Sequence, residues 1–504
     1  MKRKAGFFCG LFCSLFLQAQ QPDAMLEKGS VRYGVANNGV LFQQNGNAAF
    51  EIPKGSGVHA ILSSGLWIGG LDSSGGIRLS IAAYDTSGRD FLPGPIDRTS
   101  ILPDDSSYWN YVWHVDSMEI ADHTSLYNNN GYQAPWSIAN WPGSNTRPGN
   151  YNPVLAPFID LNNNSIYEPQ MGEIPHVPGT EAAYFIMNDK RPQHQQSGTQ
   201  GMGLEIYALV YTVAEMPNTV FVKYRIVNRS YSQYNGVFAG IYTDFMLGNP
   251  DDNYTSTDSL RNTYFCYNGL PYDSSGYLGM APVMGVKRLN GKLNKTIGFN
   301  WDPNDPQGWP QTPQDYYNYL NAVWKDGSEL MDPNSSQTSF LYQGDPCDGA
   351  GWTEYGSSGV VPGRRNMLGS SGPYTLAHGQ GITLDIAYIF TQKQGDVLAN
   401  VCDFYNDADA VQTYYDVVLT SMGQTPEKST LRVYPNPAHK EIHWELQEGI
   451  ESTSIQLIDM QGKARNYSAS ITAIDVTDLA NGIYLLWITD REGNMYQNMI
   501  VVNH

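Results

Sequence analysis

From residue 219 the sequence runs Thr219-Val220-Phe221-Val222-Lys223-Tyr224-Arg225-Ile226-Val227. Large apolar or aromatic side chains occupy every second position from Val220 to Ile226, and the same alternation recurs from Ile382 to Tyr388. Successive side chains of a β-strand point to opposite sides, so each stretch predicts a strand with one face in a core. Two sheets packed face to face bury such strands, and we expect a β-sandwich for the central part of the chain.

The composition also predicts a mainly β protein. Only 16% of the residues are charged, whereas the chain contains 34 Tyr, 50 Gly and 29 Pro. Short apolar stretches separated by turn dipeptides are typical of a β-rich fold with long structured loops. Helical periodicity is scarce and predicts two short helices, over Gln314–Trp324 and Asp409–Ser421.

We expect five segments along the chain. They are a signal peptide (1–19), an N-terminal β-rich region (25–150), a β-sandwich-like body with acidic loops and a capping helix (151–421), a linker (422–430) and a small immunoglobulin-like β-sandwich domain (431–504). The linker is polar, contains Gly423 and Pro426 and shows no periodicity. The last segment is large enough to fold alone, so we expect it to be separable from the body.

Residues 1–19 have the pattern of a secretory signal. The basic start Lys2-Arg3-Lys4 precedes an apolar run over Ala5–Leu17, and Ala19 completes an acceptable cleavage site. This run is too short to span a hydrocarbon layer of ~30 Å. We therefore expect export, cleavage after Ala19 and no transmembrane segment in the mature chain.

Charge and cysteine content restrict the partners and the covalent structure. The formal net charge of −19 becomes about −22 once the three N-terminal cations leave with the signal. We do not expect such an acidic protein to bind nucleic acid or anionic lipid, although it can hold divalent cations. The mature chain keeps Cys266, Cys347 and Cys402, so an oxidising compartment permits at most one disulfide and one free thiol.

The last segment carries three sequence blocks in order. They are Val433-Tyr434-Pro435-Asn436-Pro437, then Ile455 to Lys463, then Asp475 to Leu485. Over Leu431–His504 these blocks closely resemble the type A C-terminal sorting domain of the type IX secretion system. The resemblance implies a Bacteroidota-type bacterium, the type IX secretion machinery as a partner, and a mature protein that is secreted or held at the cell surface.

The strongest candidate metal site is an oxygen-rich loop. Its candidate ligands at alternate positions are Asp160, Asn162, Asn164, Ile166 through its carbonyl, and Glu168. Ca²⁺ takes about six to eight oxygen ligands, and a tightly wrapped loop brings alternate positions onto one point. Asn164 replaces a carboxylate and Ser165 replaces a glycine, which predicts weak binding. An Asx-rich turn that satisfies its own backbone amides is the alternative.

A second acidic cluster is a weaker candidate for Ca²⁺. It consists of Asp244, Asp251, Asp252 and Asp258. Adjacent carboxylates such as Asp251 and Asp252 repel each other unless a cation or strong hydrogen-bond donors lie between them. A second Ca²⁺ site and a solvated acidic loop are equally compatible with this pattern.

Common catalytic templates are missing from the sequence. It contains no H-E-x-x-H, no G-x-S-x-G elbow and no phosphate-binding loop. His114, Asp116, Glu119 and His123 lie close together, but strand alternation separates them, which favours a polar edge strand or a helix start over a metal centre. The paired carboxylates of a glycoside hydrolase are set by distances in the fold, so the sequence leaves that possibility open.

The sequence therefore favours an exported non-catalytic protein, structural, adhesive or binding, with loops stiffened by Ca²⁺. The alternatives are a secreted hydrolase that acts on polysaccharide and a carbohydrate-binding protein without turnover. Both alternatives draw on loop tryptophans that can stack on sugars, although such residues more often close a core or cover a sheet edge. These tryptophans are Trp136, Trp141, Trp301, Trp309 and Trp352.

Overall fold

The computed structural model describes most of the chain after residue 22. The described residues are 23–97, 109–144, 150–162, 164–355, 357, 359–393, 396–419, 431–446, 452–459, 464–490 and 495–504. The predicted signal peptide (1–19) and linker (422–430) lie outside these residues. In this part of the chain, no helix is both long enough and apolar enough to cross a membrane.

Strands dominate the residues that precede the predicted linker. They are β1 (Asp23–Leu26), β2 (Arg32–Ala36), β3 (Val40–Leu41), β4 (Gln43–Gln44), β5 (Asn47–Ala48), β6 (Phe50–Glu51), β7 (Ile61–Leu71), β8 (Ile77–Ile81), β9 (Leu92–Pro93), β10 (Trp113–Asp116), β11 (Phe158–Ile159), β12 (Ile174–Pro175), β13 (Glu181–Asn188), β14 (Leu204–Thr212), β15 (Thr219–Asn228), β16 (Tyr234–Phe245), β17 (Asn253–Asp258), β18 (Thr263–Asn268), β19 (Val283–Arg288), β20 (Lys295–Phe299), β21 (Arg365–Leu376) and β22 (Gly381–Thr391). The α-helices are α1 (Ser117–Leu126), α2 (Trp136–Ala139), α3 (Pro313–Leu320) and α4 (Val397–Tyr414). Short 3₁₀ turns cover Pro169–Met171 and Pro250–Asp252, and a π-helical turn covers Tyr415–Leu419. The mainly β prediction is confirmed.

Two antiparallel sheets of nine strands each form the body. The first sheet has the order β1-β2-β3-β7-β16-β21-β20, with β6 beside β2 and β8 beside β7. The second has the order β10-β13-β14-β15-β22-β19-β18-β17, with β9 beside β13. Because β7 pairs with β16 along its length, the structure joins the predicted N-terminal region and the predicted body in the same sheets.

The main core lies between the two sheets and confirms the alternation seen in the sequence. The pairing of β15 with β22 sets Val222 opposite Ile386 and Ile226 opposite Ile382. The alternating apolar residues of both strands belong to one buried cluster, which also contains Leu66 of the first sheet. Burial of this apolar surface is the dominant favourable term in folding.

A helix covers part of the outer face of each sheet. On the second sheet, α4 packs Phe404 against Phe265, with ring centroids 5.0 Å apart. A Cβ atom at Gly285 would lie 2.1 Å from the Phe404 ring, so only glycine permits this close approach. On the first sheet, α3 packs Tyr316 against Trp67 at 5.1 Å. The body is thus a sandwich with helices on both outer faces.

The two predicted helices exist with different limits. The first ends at Leu320 rather than Trp324, because Ala322 adopts a left-handed backbone conformation (φ 55°) that stops the helix. The second begins at Val397, well before Asp409. Its N-cap is Asp396, whose side chain accepts a hydrogen bond from the backbone amide of Ala399. Polar residues between the buried positions of α4 weaken the periodicity in the sequence.

The C-terminal segment forms a separate small β-domain. Its strands are β23 (Arg432–Tyr434), β24 (Glu441–Glu445), β25 (Ser452–Asp459), β26 (Ala464–Tyr467), β27 (Ala473–Asp475), β28 (Gly482–Asp490) and β29 (Met495–Val502). They form a three-stranded sheet, β23-β24-β27, and a four-stranded sheet, β26-β25-β28-β29. Ile442 from one sheet and Leu457 from the other lie in one buried cluster, so this domain has its own core.

The main core gives a direct test of the register. Ile226→Ala removes a fully buried side chain between the sheets, and we expect a loss of about 2–4 kcal/mol in the free energy of unfolding. Lys223→Ala on the same strand is the matched control, because Lys223 is exposed and a change of within about 0.5 kcal/mol is expected. Denaturant unfolding measures both, and equal effects would contradict the register.

Candidate functional site

A groove lies where the edge strands of the two sheets meet. It has a volume of about 650 Å³ and is lined by Thr255 of β17, Phe299 of β20 and Arg365 of β21, together with residues of the following loops. The segment that contains Leu341 and Tyr342 closes the junction: the Leu341 amide donates to Thr296 of β20 (3.3 Å), and the Thr257 amide of β17 donates to the Tyr342 carbonyl (3.0 Å). The base of the groove therefore lies between the edges of two hydrogen-bonded sheets.

Three aromatic side chains form the walls of this cavity, which we call the Trp352 groove. The rings of Tyr342 and Trp352 are 5.1 Å apart at 63°, and Trp324 packs against Tyr319 at 6.4 Å. All three wall residues are half-buried and pack around a small apolar cluster that includes Leu330. The groove therefore presents aromatic surface to a ligand.

Glu354 fixes one wall of the Trp352 groove to the second sheet. One of its carboxylate oxygens accepts the Thr255 amide (2.6 Å) and the Thr255 hydroxyl (2.9 Å). The other carboxylate oxygen accepts a hydrogen bond from Arg365 Nε at 2.6 Å. Burial raises the pKa of the Glu354 carboxyl, while Arg365 and Thr255 act in the opposite direction. With both oxygens engaged, Glu354 holds the loop in place.

A disulfide holds the loop that carries Trp352. Cys347 is bonded to Cys402 of α4, and Cys266 is a buried free thiol, which is the maximum of one bridge that the sequence permits. The Tyr405 hydroxyl of α4 also donates to Asp345 in this loop (2.9 Å). The loop is thus fastened to α4 on one side of Trp352.

The remaining loop tryptophans cover sheets. The rings of Trp301 and Trp309 stack 5.2 Å apart, and the Arg364 guanidinium lies 4.3 Å from the Trp301 ring. Trp141 is almost fully buried, and Trp136 packs on Tyr111 at 4.8 Å. Of the five tryptophans singled out in the sequence, only Trp352 lines the groove.

The Asp160 loop closes on itself through hydrogen bonds. The Asp160 carboxylate accepts the backbone amides of Asn164 (3.2 Å) and Ser165 (2.7 Å). Glu168 accepts the side-chain amides of Asn162 (2.9 Å) and Asn164 (2.7 Å), so four of the five candidate ligands lie together. The fifth, Ile166, is exposed, and its amide donates to Asn164 Oδ1 at 2.7 Å.

Ser165 has a left-handed backbone, with φ 61°. This is the position at which glycine stands in stronger Ca²⁺ loops, so the turn has the expected shape but carries a strained residue. These contacts are also those of an Asx-rich turn, and the calcium assignment stays a prediction.

The second acidic cluster is spread over two strands and a turn. Asp244 at the end of β16 is buried and accepts Arg364 Nη2 at 2.7 Å. Asp258 at the far end of β17 pairs with Arg261 at 2.8 Å. Asp252 is buried beside the exposed Asp251. Among the described residues, no three His, Cys, Asp or Glu side chains come together so that they could hold a metal ion.

The His114–His123 segment is a strand followed by a helix, as predicted. His114 lies in β10 and its Nε2 contacts Glu181 at 2.8 Å, which contributes to raising the pKa of His114 against the effect of burial. Asp116 caps α1 by accepting the amide of Glu119 at 2.9 Å. His123 is buried and contacts the Pro169 carbonyl at 2.9 Å. These side chains have separate partners and do not form one site.

Sequence reasoning missed most of the Trp352 groove. The periodicity places Trp324 at the end of a predicted helix, and Tyr342, Glu354 and Arg365 carry no signal in the sequence. The reason is distance along the chain: Glu354 binds Thr255 across 99 positions. Only Trp352, one of the loop tryptophans noted in the sequence, indicates a ligand site in this part of the fold.

Comparison with known proteins identifies the C-terminal domain. Residues 432–503 match the family described as a secretion system C-terminal sorting domain, which confirms the resemblance seen in the sequence. No curated protein matches the chain in sequence.

Two solved structures show weak similarity. A polysaccharide lyase has 8% identity and a TM-score of 0.20; the alignment covers 59% of this chain and 34% of that one. A candidate aldose 1-epimerase from Escherichia coli K12 has 10% identity and a TM-score of 0.24, with 74% and 99% covered. These scores are too low to carry a functional argument.

Asp252 gives a test of the electrostatics in the second acidic cluster. Burial, with Asp273 and Asp251 nearby, raises the pKa of Asp252 to about 6 from 3.8. The folded protein then holds a proton that the unfolded chain has already released, so this group makes stability fall as pH rises from about 4 to 6. In chelator, Asp252→Asn should stabilise the protein at pH 7 by about 1 kcal/mol and flatten this slope.

Asp251→Asn is the matched control for that experiment. Asp251 is exposed, and its replacement should change the free energy of unfolding by less than about 0.5 kcal/mol. Thermal or denaturant unfolding at pH 4, 5, 6 and 7 measures both variants. A destabilising effect of Asp252→Asn at pH 7 in chelator would show that the ionised carboxylate is favourable there.

Proposed function

We propose that this protein is an exported, non-catalytic binding protein whose Trp352 groove holds a carbohydrate chain. The observation that carries the proposal is the set of half-buried aromatic walls, Trp324, Tyr342 and Trp352, around a concave site. Sugar rings have apolar faces that stack on aromatic side chains, and ligand sites combine such surfaces with a few polar groups. Gln307 lines the same cavity, is exposed, and supplies a side-chain amide for sugar hydroxyls.

The carboxylates of the groove favour binding over hydrolysis. A glycoside hydrolase needs two carboxyl groups that face each other across the scissile bond, one of them able to donate a proton. Both oxygens of Glu354 are engaged by Thr255 and Arg365. Glu329 is exposed and accepts the Gln337 side-chain amide at 2.8 Å. Both carboxyl groups among the described lining residues thus have partners within the protein, which supports a role without turnover.

The sorting tail supports secretion. We infer that the type IX machinery recognises this tail and carries the body across the outer membrane. At the cell surface or in the medium, the groove would meet polysaccharides of the environment or of neighbouring cells. An adhesive role follows naturally from such a placement.

Trp352 is the first residue to test. Trp352→Ala should weaken binding of the best polysaccharide from a glycan array by roughly tenfold or more, because interface tryptophans commonly contribute about 2 kcal/mol. The loop should keep its place, since the Cys347–Cys402 bond remains. Trp136→Ala removes a half-buried tryptophan that lies outside the groove and is the matched control. Isothermal titration calorimetry compares the two, and unchanged affinity for Trp352→Ala would contradict the proposal.

The tail gives an independent test of export. A reporter with a signal peptide and residues 431–504 should leave a bacterium that has a type IX system, whereas the reporter without these residues should stay in the periplasm. Immunoblots of medium, cell surface and periplasm measure the distribution. Equal export of both reporters would contradict a sorting role.

We also propose that Ca²⁺ binds the Asp160 loop and stiffens it. Ser165→Gly relieves the left-handed strain, so it should stabilise the protein by about 0.5–1 kcal/mol and strengthen Ca²⁺ binding. Asp160→Asn should abolish any rise in melting temperature on adding Ca²⁺, because it removes a charged ligand. Calorimetry with added Ca²⁺ or chelator tests both variants. A melting temperature that is the same in Ca²⁺ and in chelator for the unmodified protein would contradict the calcium proposal.

A further inference from the structure

The surroundings of the Trp352 groove are strongly acidic. Glu329 lines the cavity and is exposed. Four further carboxylates stand one or two positions from lining residues; they are Asp302, Asp305, Asp326 and Asp332. Hydrogen bonds from Ser328 hold the pKa of Asp326 below its ordinary value, and those from Gln307 and Asn300 do the same for Asp305. A ligand that approaches the groove at neutral pH therefore meets the fixed negative charge of these five carboxylates, which we call the rim.

Arg365 and Lys325, the cations in or beside the lining, already donate hydrogen bonds to groups of the protein. Among the described lining residues, Arg365 is the only Lys or Arg. Its Nε donates to Glu354 (2.6 Å), and its two terminal nitrogens donate to the carbonyls of Val361 (2.7 Å) and Arg364 (3.3 Å). Lys325 stands beside Trp324, but its Nζ donates to the carbonyls of Pro303 (2.8 Å) and Trp309 (3.3 Å).

We propose that the Trp352 groove selects uncharged polysaccharides and rejects chains that carry carboxylate or sulfate groups. This inference rests on the carbohydrate-binding function proposed above. An anionic sugar in the groove would lose hydration and would have to compete with Glu354 and backbone carbonyls for Arg365 and Lys325, and the nearby carboxylates would repel it. Repulsion of the wrong ligand gives specificity without any additional contact to the right one. Neutral hydroxyls need only the amides and carbonyls that the site provides.

Matched polysaccharides test this selection on the full mature chain. We suggest a neutral galactan against a sulfated galactan, and a neutral β-glucan against its carboxymethyl derivative, each of similar chain length. Affinity electrophoresis or calorimetry at 20 mM and 500 mM NaCl should show at least tenfold tighter binding of the neutral member. The difference should shrink at high salt, because ions screen the repulsion between the rim and the ligand.

A charge reversal isolates the rim. Asp326→Lys changes an exposed carboxylate that does not itself line the cavity; it should raise the affinity for the acidic polysaccharides several-fold and leave the affinity for the neutral ones nearly unchanged. Asp122→Lys makes the same charge change at an exposed position of α1, outside the groove, and should alter neither affinity. Equal effects of the two variants would mean that overall net charge, rather than the rim, sets the preference, and would overturn the proposal.

The outcomes separate this inference from the function on which it rests. Tighter binding of the acidic member of each pair, with loss of binding in Trp352→Ala, would overturn the selection and leave the carbohydrate site intact. Failure of every polysaccharide to bind would overturn the proposed function itself. Preference for the neutral member, lost in Trp352→Ala, would support both.

Discussion

The antiparallel pairing of β15 with β22 is the contact on which the rest of the body depends. It fixes Val222 opposite Ile386 and Ile226 opposite Ile382, so one face of each strand lies between the sheets. On the opposite face, α4 covers β22 and its neighbour β19, whereas Lys223 and Arg225 of β15 are exposed. Because the side-chain period of a strand is two, a slip by one residue would exchange the two faces, and the interior would receive Lys223 and Asp385.

This central pairing also determines where the Trp352 groove forms. The second sheet extends from β22 through β19 and β18 to its edge at β17, and the first sheet ends at β20. The two edges meet, and Thr257 and Thr296 contact each other there through their hydroxyls at 2.8 Å. Free sheet edges are sites of unwanted strand pairing, so proteins cover them with loops. Here the loops that cover the sheet edges also carry the aromatic walls of the Trp352 groove.

The sequence predicted those features that depend on neighbouring residues. Strand alternation identified the inner faces of β15 and β22, and the block from Val433 to Pro437 identified the sorting tail. Features that depend on distant residues were missed. Nothing near Ile68 indicates that it will pair with Ala239, and the number of cysteines could not show that Cys347 bonds Cys402. Glu354 became meaningful only once the fold placed it beside Thr255 and Arg365.

The central claim is that a sugar chain lies on Trp352 between the two sheet edges. A crystal structure of the mature protein with a neutral oligosaccharide tests it most directly. The expected result is density for a sugar ring stacked on Trp352, with a hydroxyl within hydrogen-bonding distance of the Gln307 side chain. Density for the oligosaccharide at another surface, with the Trp352 groove filled only by water, would contradict it.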